Sequence, residues 1–294
     1  LRKTDGEFLK MTETRDRRAA FSDVIERELR TGEFVFPTSM QAAVMIRRAL
    51  ESDAGMSAVS KAISLEPVLS VKLLRMANSA FYNPSGTSVT DVLRALMRVG
   101  VNNARTLAFA VIGDQLATAA EFAPVIRLAE QLWRHSLDVA SLSFAICVQL
   151  ENATPDTAML AGMVHDIGQF YLLSRAHDYP ELLEEQSELA EFILCWDKQV
   201  GQAVLRSLGT PDVIVDALDN QDVCTGVWPP QKLSDIIFLA NSAAGTPNPF
   251  STVSLEDQLE MRRAAFKEVD PEIMNRLLDE ARVKRAAALA MLAG

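Results

Sequence analysis

Apolar positions recur three and four residues apart along most of the chain, and no convincing run of alternating strand residues or hairpin turns interrupts them. This pattern predicts helices throughout and an all-α fold. Ala43, Ile46 and Leu50 share one helix face behind a Thr38 and Gln41 capping pattern. Pro67 suits a first helical turn, and Leu69, Leu73, Met76 and Ala80 continue the spacing until YNPSG stops it. Ser88 and Asp91 form a second capping pattern before Val92, Leu93, Leu96 and Met97, with Gly100 as the stop. Pro124 opens a long helix, Thr154-Pro155 opens the one containing AGMVHDIGQFYLL, and Thr210-Pro211 opens another. GTPNPFSTVS, Gly245 to Ser254, reads as an irregular loop. Residues 1–20 read as a polar linker or tail, 21–123 as a first helical lobe, and 124–294 as a second lobe with C-terminal helices. The soft division falls near Thr118 to Pro124.

Bulk properties narrow the function classes. With 294 residues, 49% of them hydrophobic, the chain can bury a substantial core. A formal net charge of −10 withholds the positive field that drives non-specific nucleic-acid binding, so nucleic acid is not the expected partner. Cys147, Cys195 and Cys224 are odd in number and lack a C-x-x-C spacing, which suits free thiols in a reducing cytoplasm. Apolar runs such as Ile236 to Ala240 are too short to cross a bilayer, so a soluble cytoplasmic protein is expected without membrane insertion. The start at Leu1 leaves room for an upstream domain.

Helical spacing then sorts the polar residues. Leu128, Leu132, His135, Val139 and Leu142 form one stripe, which turns His135 inward. Ala158, Ala161, Gly162 and His165 share a face of small residues that lets another helix approach, with Asp166 bordering the same crevice. A lone buried histidine usually bonds a carbonyl, but two with an adjacent carboxylate would be costly to bury unpaired. Their imidazole nitrogens and carboxylate oxygens are donors that Zn, Mn or Fe accept. Asp197 shares a stripe with Ile193, Val200 and Val204; Gln221 shares one with Ile214, Ala217 and Leu218. Asp235 suits a helix N-terminus, and His177 an exposed loop. No G-x-S-x-G, Walker-type or dinucleotide-binding glycine loop is present.

From about Glu33 to Ser242 the chain resembles the HDOD (HD-related output) domains of bacterial signalling proteins. EPVLSVKLLRMANSAFYNP and VTDVLRALMRVGVNNARTLAF carry the likeness in the first lobe. LWRHSLDVA and LAGMVHDIGQFYLL are similar to segments shared with catalytic HD phosphohydrolases. The resemblance implies a degenerate HD-like core and puts His135, His165, Asp166 and Asp235 at the positions of the superfamily's metal ligands. Further histidines that hold a second metal are replaced by Asp197 and by Gln221-Asp222, and the lysine that often follows HDIG is Gln169. These departures favour a non-catalytic output domain. It would act on other signalling proteins, or under an upstream receiver or sensor domain, as in a response regulator of a two-component system. No cofactor is required by that reading, although a vestigial site could hold Zn, Mn or Fe. The alternatives are a metal-dependent phosphohydrolase acting on a nucleotide or phosphodiester, and a module that holds a small nucleotide ligand without chemistry.

Overall fold

The computed structural model describes residues 18–34, 55–118, 125–150, 154–183, 186–208, 210–219 and 228–292. Among these, the α-helices are joined by turns and one short 3-10 segment at Pro180–Leu183, and no strand occurs. The Thr38 capping pattern, the apolar face at Ala43 to Leu50 and Pro124 lie outside the described residues.

The N-terminal helices that follow residue 54 are α2 (Gly55–Ser64), α3 (Pro67–Ala77), α4 (Val92–Val99) and α5 (Val101–Thr118). Pro67 opens α3 as its spacing predicts, since its fixed φ suits a first turn and its missing N–H is not needed there. The turn after α3 is held by Asn78, whose carboxamide both donates to the Val89 carbonyl and accepts from the Val89 N–H, each at 2.8 Å. This is the asparagine of the MANSAFYNP stretch. Asp91 is the cap of α4, accepting from the Arg94 N–H at 2.8 Å, so of the Ser88 and Asp91 pair the aspartate carries that bond. Gly100 ends α4 at φ +86°, a left-handed conformation that a side chain would strain.

The central helix is α6 (Ile126–Val148), which is buried over most of its surface. Around it pack α7 (Pro155–Val164), α11 (Leu233–Ala243) and α13 (Pro271–Leu292), with α8 (Ile167–Ala176) crossing α9 (Gln186–Ser207) beyond. The remaining helices are α10 (Asp212–Asp219) and α12 (Leu255–Ala265). Small residues set the close approaches. A Cβ on Gly162 of α7 would stand 2.8 Å from Ala140 Cα on α6, so α7 can lie on α6 only because that position is glycine.

Two features depart from the simplest reading of the pattern. AGMVHDIGQFYLL is two helices, not one: α7 ends at Val164, α8 starts at Ile167, and His165 and Asp166 occupy the break. A helix over residues 18–31 (α1) packs against α8, α9 and the turn between them, far along the chain from its own neighbours in sequence. Phe21 lies between Tyr179 and Phe192, and buried Glu28 accepts from the Tyr171 hydroxyl at 2.9 Å and pairs with Arg175 at 3.0 Å.

Candidate metal centre

The break between α7 and α8 brings a histidine and an aspartate to one point beside α6. His135 reaches that point from α6, and all three side chains are buried. His135 Nδ1 lies 2.8 Å from the Thr246 carbonyl, and His165 Nδ1 lies 2.9 Å from the Gly162 carbonyl. A carbonyl oxygen only accepts, so each Nδ1 carries a proton and each Nε2 is turned inward. His135 Nε2 and His165 Nε2 are 3.2 Å apart, with Asp166 Oδ2 at 3.5 Å from the first and 3.0 Å from the second.

Three electron-pair donors cannot converge this closely without something positive between them. Burial opposes charge on His165, yet the Asp166 carboxylate beside it raises its pKa above the ordinary imidazole value. Burial also works against the Asp166 carboxylate, but His165 and His135 hold its pKa below the usual carboxylate range. Burial lowers the pKa of His135, and the charge of His165 adds to that despite Asp166. A single proton on His165, directed at Asp166 and the neutral His135, satisfies the set.

A divalent ion would satisfy it too. Ligands about 2.1 Å from one ion place neighbouring donor atoms roughly 3.0–3.4 Å apart, and the three separations here are 3.0, 3.2 and 3.5 Å. Among the described residues, His135, His165 and Asp166 form the one group able to hold a metal. Both Nδ1–H bonds to carbonyls are the outer contacts that fix ring orientation in metal-binding histidines.

Carboxamides surround the carboxylate. Gln169 Nε2 donates to Asp166 Oδ1 at 3.1 Å and to Asp197 Oδ2 at 3.2 Å. Asn248 Nδ2 donates to Asp166 Oδ2 at 2.8 Å and to Gln169 Oε1 at 2.9 Å. His135, Asp166, Gln169, Asp197 and Asn248 line a crevice of about 640 Å³, whose apolar wall includes Leu194, Phe238, Leu259 and Met261.

Of the four residues that the resemblance places at metal positions, the structure brings together three. Asp235 is not in the group: its carboxylate accepts the backbone N–H of Lys232 at 3.0 Å and of Gln231 at 3.2 Å, the helix N-terminal role its position suggests. Asp197 does turn to the crevice, His177 is exposed, and Gln221 and Asp222 lie outside the described residues. The pattern of the sequence did not single out Thr246, Asn248 or Asp138. The first two lie in the segment read as an irregular loop, where no period exists to give direction. Asp138 carried a weak signal, a carboxylate one turn from His135 on a helix whose other buried positions are apolar residues, serines and His135.

Fold and site together define an all-helical, HD-like domain with one buried His-His-Asp cluster. The HDOD domain family matches residues 36–222, and the chain belongs to it. In fold it is similar to a candidate metal-dependent phosphohydrolase of Shewanella amazonensis SB2B, at 22% identity and a TM-score of 0.66, over 93% of this chain and 99% of that one. It is similar also to an HDOD domain protein of unknown function from Geobacter sulfurreducens, at 18% identity and a TM-score of 0.56, over 91% and 97%. A candidate signal transduction protein from Marinobacter aquaeolei VT8 shares 16% identity at a TM-score of 0.50, over 94% of this chain and 66% of that one. No curated protein matches the sequence. Among the described residues no helix is long and apolar enough to cross a membrane.

Proposed function

We propose that the chain is a non-catalytic signal-transduction output domain that acts through protein partners, with its His-His-Asp cluster holding one divalent ion as a cross-link between α6 and the α7–α8 break. The observation that carries this reading is the carboxamide ring. Gln169 and Asn248 occupy both oxygens of Asp166 and tie Asp197 to the same network. Phosphoryl chemistry needs positive groups aimed at the transferred oxygens. Among the described residues, Arg262 is the one cation that lines the crevice, and Lys198, in a smaller cleft beside His165, Asp166 and Asp197, lies 3.5 Å from the Asp219 carboxylate. HDOD membership and the likeness to a candidate signal transduction protein support the signalling role.

The likeness to a candidate metal-dependent phosphohydrolase, with the ligand-like spacing of the cluster, favours a second reading: hydrolysis of a nucleotide or phosphodiester. A bound ion would supply Lewis acidity there. Elemental analysis of untagged protein beside His165→Ala, followed by a nucleotide and phosphodiester screen, separates the two. Stoichiometric Zn, Mn or Fe that is lost in the variant, without turnover, is expected. Turnover that Asp166→Ala abolishes while leaving the fold intact would establish the hydrolase instead. For a longer form with an upstream sensor or receiver domain, activation should alter partner binding or hydrogen exchange in these lobes.

A further inference from the structure

The C-terminal helix reaches the cluster through a continuous line of polar contacts. α13 packs along α6 and also touches α3 and α5. Lys284 of α13 stands over the Phe144 ring of α6 with Nζ 3.8 Å from its centroid. One residue on, Arg285 Nε lies 2.8 Å from Asp138 Oδ1, a close ionic contact with a carboxylate that is only 8% exposed. The other oxygen, Asp138 Oδ2, accepts the Thr246 N–H at 2.8 Å, and the Thr246 carbonyl accepts His135 Nδ1–H at 2.8 Å. Two residues further along the same loop, Asn248 donates to Asp166.

Asp138 therefore holds the N–H of Thr246, whose own carbonyl orients His135 and whose loop carries Asn248 to Asp166, and Arg285 holds Asp138. We propose that Asp138 and Arg285 are positioning residues for the cluster, and that docking of α13 and occupation of the cluster by a divalent ion are linked equilibria. The linkage rests on the metal reading above; the positioning claim does not. Linkage is reciprocal: if a docked α13 tightens the cluster's grip on an ion, the ion must tighten the docking of α13 by the same factor. Since α13 also touches α3 and α5, it gives a shift of those helices a physical route to the crevice.

The test uses the whole chain and Zn²⁺ as probe. Asp138→Ala, which lets go of the residue whose carbonyl orients His135, should weaken Zn²⁺ binding by about 10-fold, the low end of the effect of removing an outer contact of a metal-bound histidine, and Arg285→Ala, which leaves Asp138 in place, by a fewfold. Arg285→Lys, which keeps the charge, should recover most of that loss, and Val283→Ala on the exposed side of α13 should change nothing. Asp138→Asn keeps an acceptor for Thr246 but loses the ionic tie to Arg285. It should bind Zn²⁺ within a fewfold of wild type, while protection of α13 amides no longer responds to the ion as it does in wild type. In metal-free protein, Thr246 N–H exchange should rise at least tenfold in Asp138→Ala and less in Arg285→Ala. If Asp138→Ala does not fold, Arg285→Ala and Asp138→Asn carry the test. Zn²⁺ affinity and Thr246 exchange both within twofold of wild type in Arg285→Ala would overturn the proposal. A wild-type chain that binds no Zn²⁺, Mn²⁺ or Fe²⁺ would refute the metal reading and the linkage, leaving the positioning claim to stand or fall on Thr246 exchange.

Discussion

Gly168 is the most demanding position beside the cluster. A Cβ there would overlap the Asp197 carbonyl oxygen and stand 2.8 Å from both the Asp197 carbonyl carbon and the Gly201 nitrogen, all of them backbone atoms of α9. Ordinary van der Waals contact begins near 3.4 Å, so α8 and α9 must separate by more than an ångström to admit one methyl group. Overpacking typically costs about 1–3 kcal/mol, and a clash with rigid backbone puts Gly168→Ala at the upper end. Replacing a helical glycine by alanine returns about 1 kcal/mol of propensity, so the net loss should be about 2 kcal/mol. At roughly 2–4 °C per kcal/mol for a chain of this size, the melting temperature should fall by about 4–8 °C. Gly201→Ala is the matched control, because its Cβ would meet Gly168 N at 3.3 Å and Cα at 3.5 Å. There the small steric cost and the propensity gain should nearly cancel, to within about 1 kcal/mol. Urea and thermal denaturation of both variants give the comparison. Gly168→Ala as stable as wild type, or Gly201→Ala equally damaging, would refute the close-approach argument.

Four more outcomes are expected. The Asp166 and His165 pair should stabilise the metal-free fold fully between their ordinary pKa values of 3.8 and 6.5, losing this as pH falls through the lowered value of Asp166 or rises through the raised value of His165. A divalent ion must displace the His165 proton, so at pH 6.5 binding should release more than half a proton per ion and tighten as pH rises; a calorimetric heat independent of buffer ionisation enthalpy would contradict this. Glu28→Ala removes the carboxylate that buried Tyr171 and Arg175 share and should cost about 2–4 kcal/mol, a figure that denaturant midpoints check and that a loss below about 0.5 kcal/mol would exclude. In a Cys224→Ala background, exposed Cys195 should react with a thiol reagent in the native state, whereas Cys147, its thiol pushed up to about 11 by burial, should react only after unfolding.

What the sequence disclosed followed from periodicity. The stripe through Leu132, His135 and Val139 turned the imidazole inward, and the small face at Ala161 and Gly162 required a close neighbour; α6 is that neighbour. Pro67, Asp91 and Gly100 marked boundaries because each imposes a local conformation independent of tertiary context. The break at His165 and Asp166 was not legible, since the apolar residues up to Val164 and from Ile167 onward would suit one helix equally well. Nor was the partnership of Asn248 with Asp166, two residues 82 apart in the chain that meet only once the helices have packed.

The position of α1 has a consequence for biosynthesis. Glu28 is made 143 residues before its partner Tyr171, and Phe21 precedes Phe192, one of the two rings it packs between, by a still longer stretch. At about 5–20 residues per second the ribosome needs roughly 7–30 s to cover that interval. Throughout it α1 has no slot to enter, while the helices of residues 55–118 already possess one another as partners. The growing chain must therefore carry an amphipathic helix with its apolar side uncovered, a natural stretch for a chaperone to hold. Fusions that cut the gene near residue 124 would deliver the later helices without the segment that closes them.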